Sequence, residues 1–156
     1  MAKIIAIANQ KGGVGKTTTA VNLSACLAVK NKKVLVIDID PQGNTTSGFG
    51  VDKNSVKNSI YDVIINEIPI QDTLIETMIK KLHLSPSNIN LAGAEVELVS
   101  VISRETRLKY ALEDIKDNYD FIIIDCPPSL GLLTINALTA ANTLLVPIQC
   151  EYYALE

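Results

Sequence analysis

A glycine-rich segment near the amino end of the chain contains the residue types that hold phosphate groups. It lies between a short apolar run at residues 3–8 and a helical pattern at residues 17–29. Glycines allow a tight turn whose backbone N–H groups face phosphate oxygens, and the following helix adds the positive end of its dipole. Within the segment, Lys16 can neutralise the outer phosphates of a nucleotide, and the Thr17 hydroxyl can bind Mg²⁺. The segment therefore predicts a loop that holds a nucleotide together with magnesium.

This loop differs from the general phosphate-loop pattern G-x-x-x-x-G-K-[ST] at its first position. Gln10 stands where the first glycine is expected, and an additional lysine, Lys11, precedes the glycines. A glycine-rich turn that binds nothing is the alternative. The strand, the glycines, the Gly-Lys-Thr sequence and the helix nevertheless coincide as a phosphate loop requires. The predicted nucleotide-binding residues are Lys11, Gly12, Gly13, Val14, Gly15, Lys16, Thr17 and Thr18.

Two carboxylates follow the second apolar run, at residues 34–37. Asp38 and Asp40 come at the end of this predicted strand, and in a parallel sheet the carboxyl ends of the strands form the ligand-binding edge. Their side chains point the same way if the strand continues, because the side-chain period of a strand is two. One of them could orient a water molecule or help to hold Mg²⁺. The alternative is an ordinary turn, which Asp-Pro and Gly-Asn sequences favour.

A third carboxylate, Asp125, follows four apolar residues at 121–124. This arrangement has the form of a Walker B motif, in which the acid helps to hold Mg²⁺, here through a water molecule or the Thr17 hydroxyl. An acid that closes a strand is also common by chance. The phosphate loop earlier in the chain gives the metal-binding interpretation its weight.

The order of the predicted elements indicates an α/β fold. Residues 1–40 have the pattern strand, loop, helix, strand, which predicts a right-handed crossover and a parallel sheet. Further strands are predicted at 81–85, 121–124 and 143–148, helices at 91–101, 104–116 and 130–141, and two short helices between 60 and 76. The expected fold is a three-layer α/β/α P-loop NTPase with a mostly parallel central sheet, in one domain over residues 1–156.

Composition excludes several other classes of protein. The chain of 156 residues is 47% apolar and 20% charged, and its net charge of −3 gives no sign of nucleic-acid binding by bulk charge. Its three cysteines have no C-x-x-C spacing, which argues against a metal cluster or a disulfide framework. No apolar run reaches the length of a membrane span or of a secretory signal, so we expect a cytoplasmic protein. The basic clusters at residues 80–81 and 104–109, and the single histidine His83, are interpreted as solvated or structural.

The sequence K-G-G-x-G-K-T-T resembles the deviant Walker A motif of the ParA/MinD class of P-loop ATPases. In that class the early lysine reaches across a dimer interface to the phosphates of the partner's ATP. The resemblance implies that Lys11 is this signature lysine, that Lys16 is the phosphate-loop lysine, and that the protein forms an ATP-dependent homodimer.

Both carboxylate motifs extend the resemblance. The sequence D-x-D-P-Q-G-N is similar to switch I of ParA/Soj partition ATPases, which implies that Asp40 positions the attacking water and that Asp38 supports it. The sequence Pro127-Pro128-Ser129 resembles switch II, which senses the γ-phosphate. The resemblance thus implies catalytic roles for Lys11, Lys16 and Asp40, and metal binding by Thr17 and Asp125, with Asp40 as a further candidate.

The resemblance covers essentially the whole chain, with D-C-P-P-S-L-G and Q-C-E-Y-Y-A-L-E as its strongest later motifs. It implies a cycle in which ATP drives dimerisation, the dimer binds DNA without sequence preference on the nucleoid, and a ParB-type partner stimulates hydrolysis. Family members continue well beyond this length, and residues 151–156 look like the start of another element. We therefore expect the C-terminal part of the family domain to be missing, with much of the adenine pocket and the main basic DNA-binding surface.

Three other interpretations remain. A MinD-type ATPase that cycles on membranes would end in an amphipathic helix beyond this sequence, and the D-P-Q-G-N and Q-C-E-Y-Y stretches argue against it; no stable membrane association is expected. An electron-transfer ATPase like the nitrogenase iron protein needs paired cluster cysteines, and Cys126 and Cys150 lie outside that family's motifs. A scaffold with a decayed loop is disfavoured because Lys16, Thr17 and the acids are all present.

Overall fold

The structure, a computed structural model, describes residues 1–150, and strands and helices are mixed along this part of the chain. The strands are β1 (Lys3–Ile7), β2 (Val34–Asp38), β3 (Ile75–Glu76), β4 (Leu82–Ser85), β5 (Phe121–Asp125) and β6 (Thr143–Leu145). The α-helices are α1 (Lys16–Val29), α2 (Asn44–Gly48), α3 (Ile60–Asn66), α4 (Leu91–Leu98), α5 (Arg107–Glu113) and α6 (Leu132–Ala140). Short 3₁₀ helices occupy Ile70–Thr73 and Lys116–Asn118.

Within residues 1–150 the strands form one six-stranded sheet in the order β3-β4-β2-β5-β1-β6. All neighbouring strands are parallel except β3 and β4. The central strands are continuous runs of buried aliphatic residues, as expected for parallel strands that are covered on both faces. Ile7 and Asp38 both align with Asp125, so the carboxyl ends of β1, β2 and β5 meet at the same edge.

Helices cover both faces of the sheet. Alternate residues of β2 and β5, such as Ile37 and Ile124, pack with helices α3 to α6 on one face. The intervening residues, such as Val36 and Ile123, pack with α1 on the other face. This alternation follows from the two-residue period of a strand. The predicted three-layer α/β/α architecture with a mostly parallel sheet is therefore confirmed.

Helix α1 begins where the phosphate loop ends. Gly15, its N-cap, has φ +94°, a left-handed conformation that glycine adopts without steric cost. The helix buries Ala20, Ser24 and Ala28 along one stripe, and small side chains there allow close packing on the sheet. It ends before Asn31, which has φ +68°. The loop is thus fixed at both ends, by β1 and by a well-packed helix.

Several helices and strands are shorter in the structure than the sequence predicted. Helix α5 starts at Arg107 rather than at residue 104, because its N-cap Thr106 has φ −117° and ψ 4°, which is not a helical conformation. Strand β6 ends at Leu145, two residues before Pro147, which lacks the N–H that a ladder needs. Strand β3 was not predicted, since two residues cannot show periodicity.

The prediction of a further element at residues 151–156 falls outside the described residues, so the extent of the domain over residues 1–156 stays a prediction. None of the helices found in residues 1–150 is both long enough and apolar enough to cross a membrane.

Candidate nucleotide-binding site

The glycine-rich segment forms an open loop between β1 and α1. Gly13 and Gly15 have φ angles of +71° and +94°, which residues with a Cβ atom rarely adopt. A Cβ atom built on Gly12, Gly13 or Gly15 would meet no atom within 4 Å, so this face of the loop opens onto free space. Lys16 is only 7% exposed, and its Nζ donates a hydrogen bond to the Lys11 carbonyl oxygen at 2.8 Å. This is the shape expected of a cradle for phosphate groups.

A cleft of about 370 Å³ lies against this loop at the carboxyl edge of the sheet. Its lining residues come from the loop, from the segment after β2 and from the segment after β5: Gly12, Gly13, Gly15, Lys16, Thr17, Thr18, Asp40, Gln42, Asn44 and Pro128. Most of the predicted nucleotide-binding residues therefore share one cleft with the predicted catalytic Asp40.

Two predicted nucleotide-binding residues are placed differently. Val14 is buried and does not line the cleft. Lys11 is exposed and also lies outside the cleft lining; its backbone N–H donates to the Asn9 side chain at 2.9 Å. This position does not test a role of Lys11 on a partner's nucleotide, and that role stays a prediction.

Asp125 lies beneath the cleft at the end of β5 and is 1% exposed. Its Oδ2 accepts hydrogen bonds from the hydroxyls of Thr17 at 2.8 Å and Thr45 at 2.7 Å. Burial raises the pKa of the Asp125 carboxyl, and the two threonine hydroxyls partly offset this effect. The sequence left two ways for Asp125 to help hold magnesium, through a water molecule or through the Thr17 hydroxyl. The contact between Asp125 and the Thr17 hydroxyl is present in the structure.

The second oxygen of Asp125 supports a cation site. Oδ1 is buried and has no hydrogen-bond partner among the described residues. A buried carboxylate oxygen without a partner is costly, and a hard cation with oxygen ligands would satisfy it. The Thr17 hydroxyl and the Asp125 carboxylate therefore fit Mg²⁺ in the chemistry of their donors, and Asp40 adds a second carboxylate in the same cleft.

Asp40 is held by its own turn. Its Oδ1 accepts the Gln42 N–H at 2.9 Å, and its carbonyl oxygen accepts the Gly43 N–H at 2.9 Å and the Ser87 hydroxyl at 2.7 Å. The side chain is 8% exposed at the cleft wall. A carboxylate that is fixed in this way can orient a water molecule.

Asp38 faces different partners from Asp40, because β2 ends at Asp38 and does not continue as the sequence pattern allowed. The Asp38 Oδ2 accepts the Thr46 N–H and hydroxyl, each at 2.7 Å, and Oδ1 accepts the Asp40 N–H at 3.2 Å. Complete burial raises the Asp38 pKa to about 7, against the lowering effect of the hydrogen bonds from Thr46. The contacts favour the supporting role that the resemblance implied.

Three residues around the site were missed in the sequence. Thr45 binds Asp125, Ser87 binds the Asp40 carbonyl, and the Gln149 amide donates to the Gly13 carbonyl at 2.9 Å. Thr45 and Ser87 belong to residue types that are common in loops, whereas Gln149 begins the Q-C-E-Y-Y-A-L-E motif, which supported the resemblance but was not assigned to the site. Thr45 and Ser87 lie in Ser/Thr-rich stretches, which are the only signal available for them.

The side chains interpreted as structural or solvated have ordinary surroundings. Arg107 pairs with Glu67, and Arg104 pairs with Glu105 at 3.0 Å. His83 shares a hydrogen bond with the Tyr119 hydroxyl at 2.7 Å, away from the cleft. A larger groove of about 620 Å³ lies between α3 and α5, but none of the predicted nucleotide-binding or metal-binding residues lines it.

Fold and site together define a P-loop nucleotide-binding domain of the α/β/α type. The chain belongs to the AAA domain family (AAA_31), whose sequence model matches residues 2–156. It is 62% identical to the sporulation initiation inhibitor protein Soj of Bacillus subtilis (strain 168), over 100% of this chain and 62% of that protein. It is 54% identical to the chromosome partitioning protein ParA of Myxococcus xanthus, over 99% of this chain and 54% of that protein. The resemblance to ParA/Soj proteins is confirmed.

Solved structures agree with the assignment of the fold as a P-loop nucleotide-binding domain. Cobyrinic acid a,c-diamide synthase from Mycobacterium smegmatis, solved with an ATP analogue and magnesium, has a TM-score of 0.93 and 44% identity over 97% of this chain and 62% of that chain. A plasmid partition protein from Borrelia burgdorferi bound to AMPPNP has a TM-score of 0.88 and 35% identity over 99% of this chain and 65% of that chain. This chain therefore spans about three fifths of the length of these proteins.

Proposed function

We propose that this chain is the nucleotide-binding part of a partition ATPase, which binds ATP with Mg²⁺ and hydrolyses it to ADP and phosphate. The observation that supports this most directly is the shared cleft. It joins Lys16 and Thr17 of the phosphate loop to Asp40, and Thr17 in turn binds the buried Asp125. Relatives that are named as chromosome partitioning proteins match 99–100% of this chain and support the assignment.

The residues divide the chemistry between them. Backbone N–H groups of the glycine loop and the Lys16 ammonium hold the phosphates and stabilise the charge that develops on them. Thr17 and Asp125 would hold Mg²⁺, which supplies further positive charge at the phosphate oxygens when it is bound. The Asp40 carboxylate, fixed by the Gln42 N–H, orients a water molecule for in-line attack on the γ-phosphate. Lys11 of a second copy completes the charge around the phosphates.

The proposed cycle is the one that the resemblance to ParA/Soj proteins implies. ATP would join two copies into a homodimer, the dimer would bind DNA of any sequence on the nucleoid, and a ParB-type partner would stimulate hydrolysis and release. Since this chain spans 62% of its Bacillus subtilis relative, the DNA-binding surface can lie largely in the remaining part of that longer architecture.

The test is ATP-dependent DNA binding by the natural protein that contains this chain, with a random-sequence duplex in a salt series. We expect binding with ATP and Mg²⁺ but not with ADP, and a steep loss of affinity with rising salt. Liposomes that contain anionic lipid serve as the control surface. Binding to the liposomes but not to DNA would contradict the partition role and favour a membrane-cycling ATPase.

A further inference from the structure

Ser87 lies in the segment that follows β4, and the chemistry assigned so far to the nucleotide site does not explain its contacts. It is completely buried and does not line the nucleotide cleft. Its hydroxyl donates to the Asp40 carbonyl oxygen at 2.7 Å, and its N–H donates to the Thr46 hydroxyl at 3.0 Å. These contacts span 47 and 41 residues of sequence, whereas a serine that only shapes its own loop bonds to its near neighbours.

The contacts of Ser87 close a ring of hydrogen bonds around the backbone of Asp40. The Thr46 hydroxyl, which accepts the Ser87 N–H, donates in turn to Asp38 Oδ2 at 2.7 Å. Asp38 Oδ1 accepts the Asp40 N–H at 3.2 Å, and the Asp40 carbonyl oxygen accepts the Ser87 hydroxyl. Asp38, Thr46 and Ser87 are each 0% exposed, so solvent water does not compete for these bonds. Both backbone polar groups of Asp40 are therefore held by buried partners.

The ring joins the Asp40 turn (residues 39–43) to the β4 side of the sheet. On the other side the turn is joined to β5, since the Ile39 N–H donates to the Asp125 carbonyl oxygen at 3.1 Å. Strands β2 and β4 are parallel neighbours that are in register up to Ser85, so a residue two places further along lies beside the turn. Ser87 occupies this place, and the turn is thus held between two strands.

The place of the Asp40 turn matters because the Asp40 carboxylate must face the attacking water. A displacement of about 1 Å at a reacting centre can lower a rate about a hundredfold. The Gln42 N–H that holds the Asp40 carboxylate belongs to the same turn. That bond fixes the carboxylate within the turn, but it does not fix the turn relative to the phosphate loop. Ser87 supplies a constraint of this second kind, because it comes from outside the turn.

We propose that Ser87 is a positioning residue for ATP hydrolysis, whose hydroxyl and N–H hold the Asp40 turn where the Asp40 carboxylate orients the attacking water. The proposal rests on the role of Asp40 in the proposed function. Since Ser87 does not line the nucleotide cleft, it acts on the transition state through Asp40 and not on the bound nucleotide. Its loss should therefore lower kcat and leave KM for ATP nearly unchanged.

The test compares Ser87→Ala with Ser85→Ala in the natural protein that contains this chain. Ser85 is equally buried, and its hydroxyl shares a hydrogen bond of the same length, 2.7 Å, with Thr73, away from Asp40. Each substitution removes one buried hydroxyl, so the two variants should lose similar amounts of stability to urea. Ser87→Ala should lower kcat for phosphate release about tenfold, the effect expected of one hydrogen bond, with KM within about twofold. Ser85→Ala should leave both constants within about twofold of the unchanged protein.

Two further measurements separate positioning from a general loss of stability. Amide hydrogen exchange needs no hydrolysis, and the peptide that covers residues 38–46 should exchange about tenfold faster in Ser87→Ala but not in Ser85→Ala. Thr46→Val removes the next hydroxyl of the ring and should also lower kcat. The double variant Thr46→Val/Ser87→Ala should lose little more than the weaker of the two single variants, because both substitutions break the same ring.

An equal loss of kcat in Ser85→Ala and Ser87→Ala would overturn the proposal, as would unchanged kcat or unchanged amide exchange in Ser87→Ala. Multiplied effects in the double variant would also overturn it, since the two residues would then act independently. Unchanged protein that releases no phosphate, or Asp40→Ala that still releases it, would contradict the proposed function instead. The exchange of residues 38–46 would still report whether Ser87 holds the turn.

Discussion

Thr45→Val tests whether Asp125 depends on a hydroxyl that the sequence did not identify. Thr45 is completely buried, and its hydroxyl donates to Asp125 Oδ2 at 2.7 Å. Valine replaces this hydroxyl with a methyl group of similar size, and Oδ2 keeps only the Thr17 hydroxyl. Asp125 is only 1% exposed, so solvent water is not at hand to replace the lost donor. A hydrogen bond to a charged group contributes about 1.5–3 kcal/mol, and we expect the free energy of unfolding to fall by about 2 kcal/mol.

Urea unfolding of the natural protein, followed by circular dichroism, measures this change. With a denaturant slope of about 2 kcal/mol/M, the transition midpoint should move down by about 1 M. Thr45→Ser keeps the hydroxyl and should recover most of the loss, whereas a simple packing defect would make serine the worse substitution because it removes a methyl group. A midpoint for Thr45→Val within about 0.2 M of the unchanged protein would refute the reasoning, since such a shift corresponds to only about 0.4 kcal/mol.

Three further predictions concern the cleft and its surroundings. Asp40→Ala in the natural protein should abolish phosphate release but leave ATP affinity within about threefold, because a water-orienting carboxylate acts in the transition state; retained hydrolysis, measured as phosphate release, would contradict the role. Lys11→Ala should abolish the ATP-dependent dimer in light scattering, and an unchanged dimer would contradict the cross-dimer contact. Burial raises the pKa of the Cys126 thiol to about 12, so it should react with Ellman's reagent at pH 8 only after unfolding. The exposed Cys26 and Cys150 should react at once, and equally fast labelling of all three thiols would refute this placement.

The central part of the site could be predicted because its signals are local. The phosphate loop can be recognised from the glycines beside Lys16 and Thr17. Asp125 can be recognised because it follows an unbroken apolar run, residues 121–124. The parallel sheet followed from the βαβ pattern of the first 40 residues. These features need no knowledge of distant contacts, so the fold class and the position of the cleft were accessible from the sequence.

The supporting contacts could not be predicted because they join distant parts of the chain. Thr45 and Asp125 are separated by 80 residues, Asp40 and Ser87 by 47, and Gly13 and Gln149 by 136. Only the register of the assembled sheet brings these pairs together. Threonine and serine are frequent in loops, and one such residue cannot be distinguished from its neighbours without the tertiary structure; Gln149 lies in a motif, but its contact with the phosphate loop is visible only in the fold.

The short helix α2 makes hydrogen bonds to the carboxylates at the ends of both β2 and β5. Asp38 and Asp125 lie side by side at the ends of β2 and β5, and the charge of Asp125 contributes to the raised Asp38 pKa. Two consecutive residues of α2 each donate a hydroxyl hydrogen bond to one acid: Thr45 to Asp125 and Thr46 to Asp38. A displacement of α2 must therefore alter both carboxylates together, and it must also move the Asp40 turn that leads into the helix.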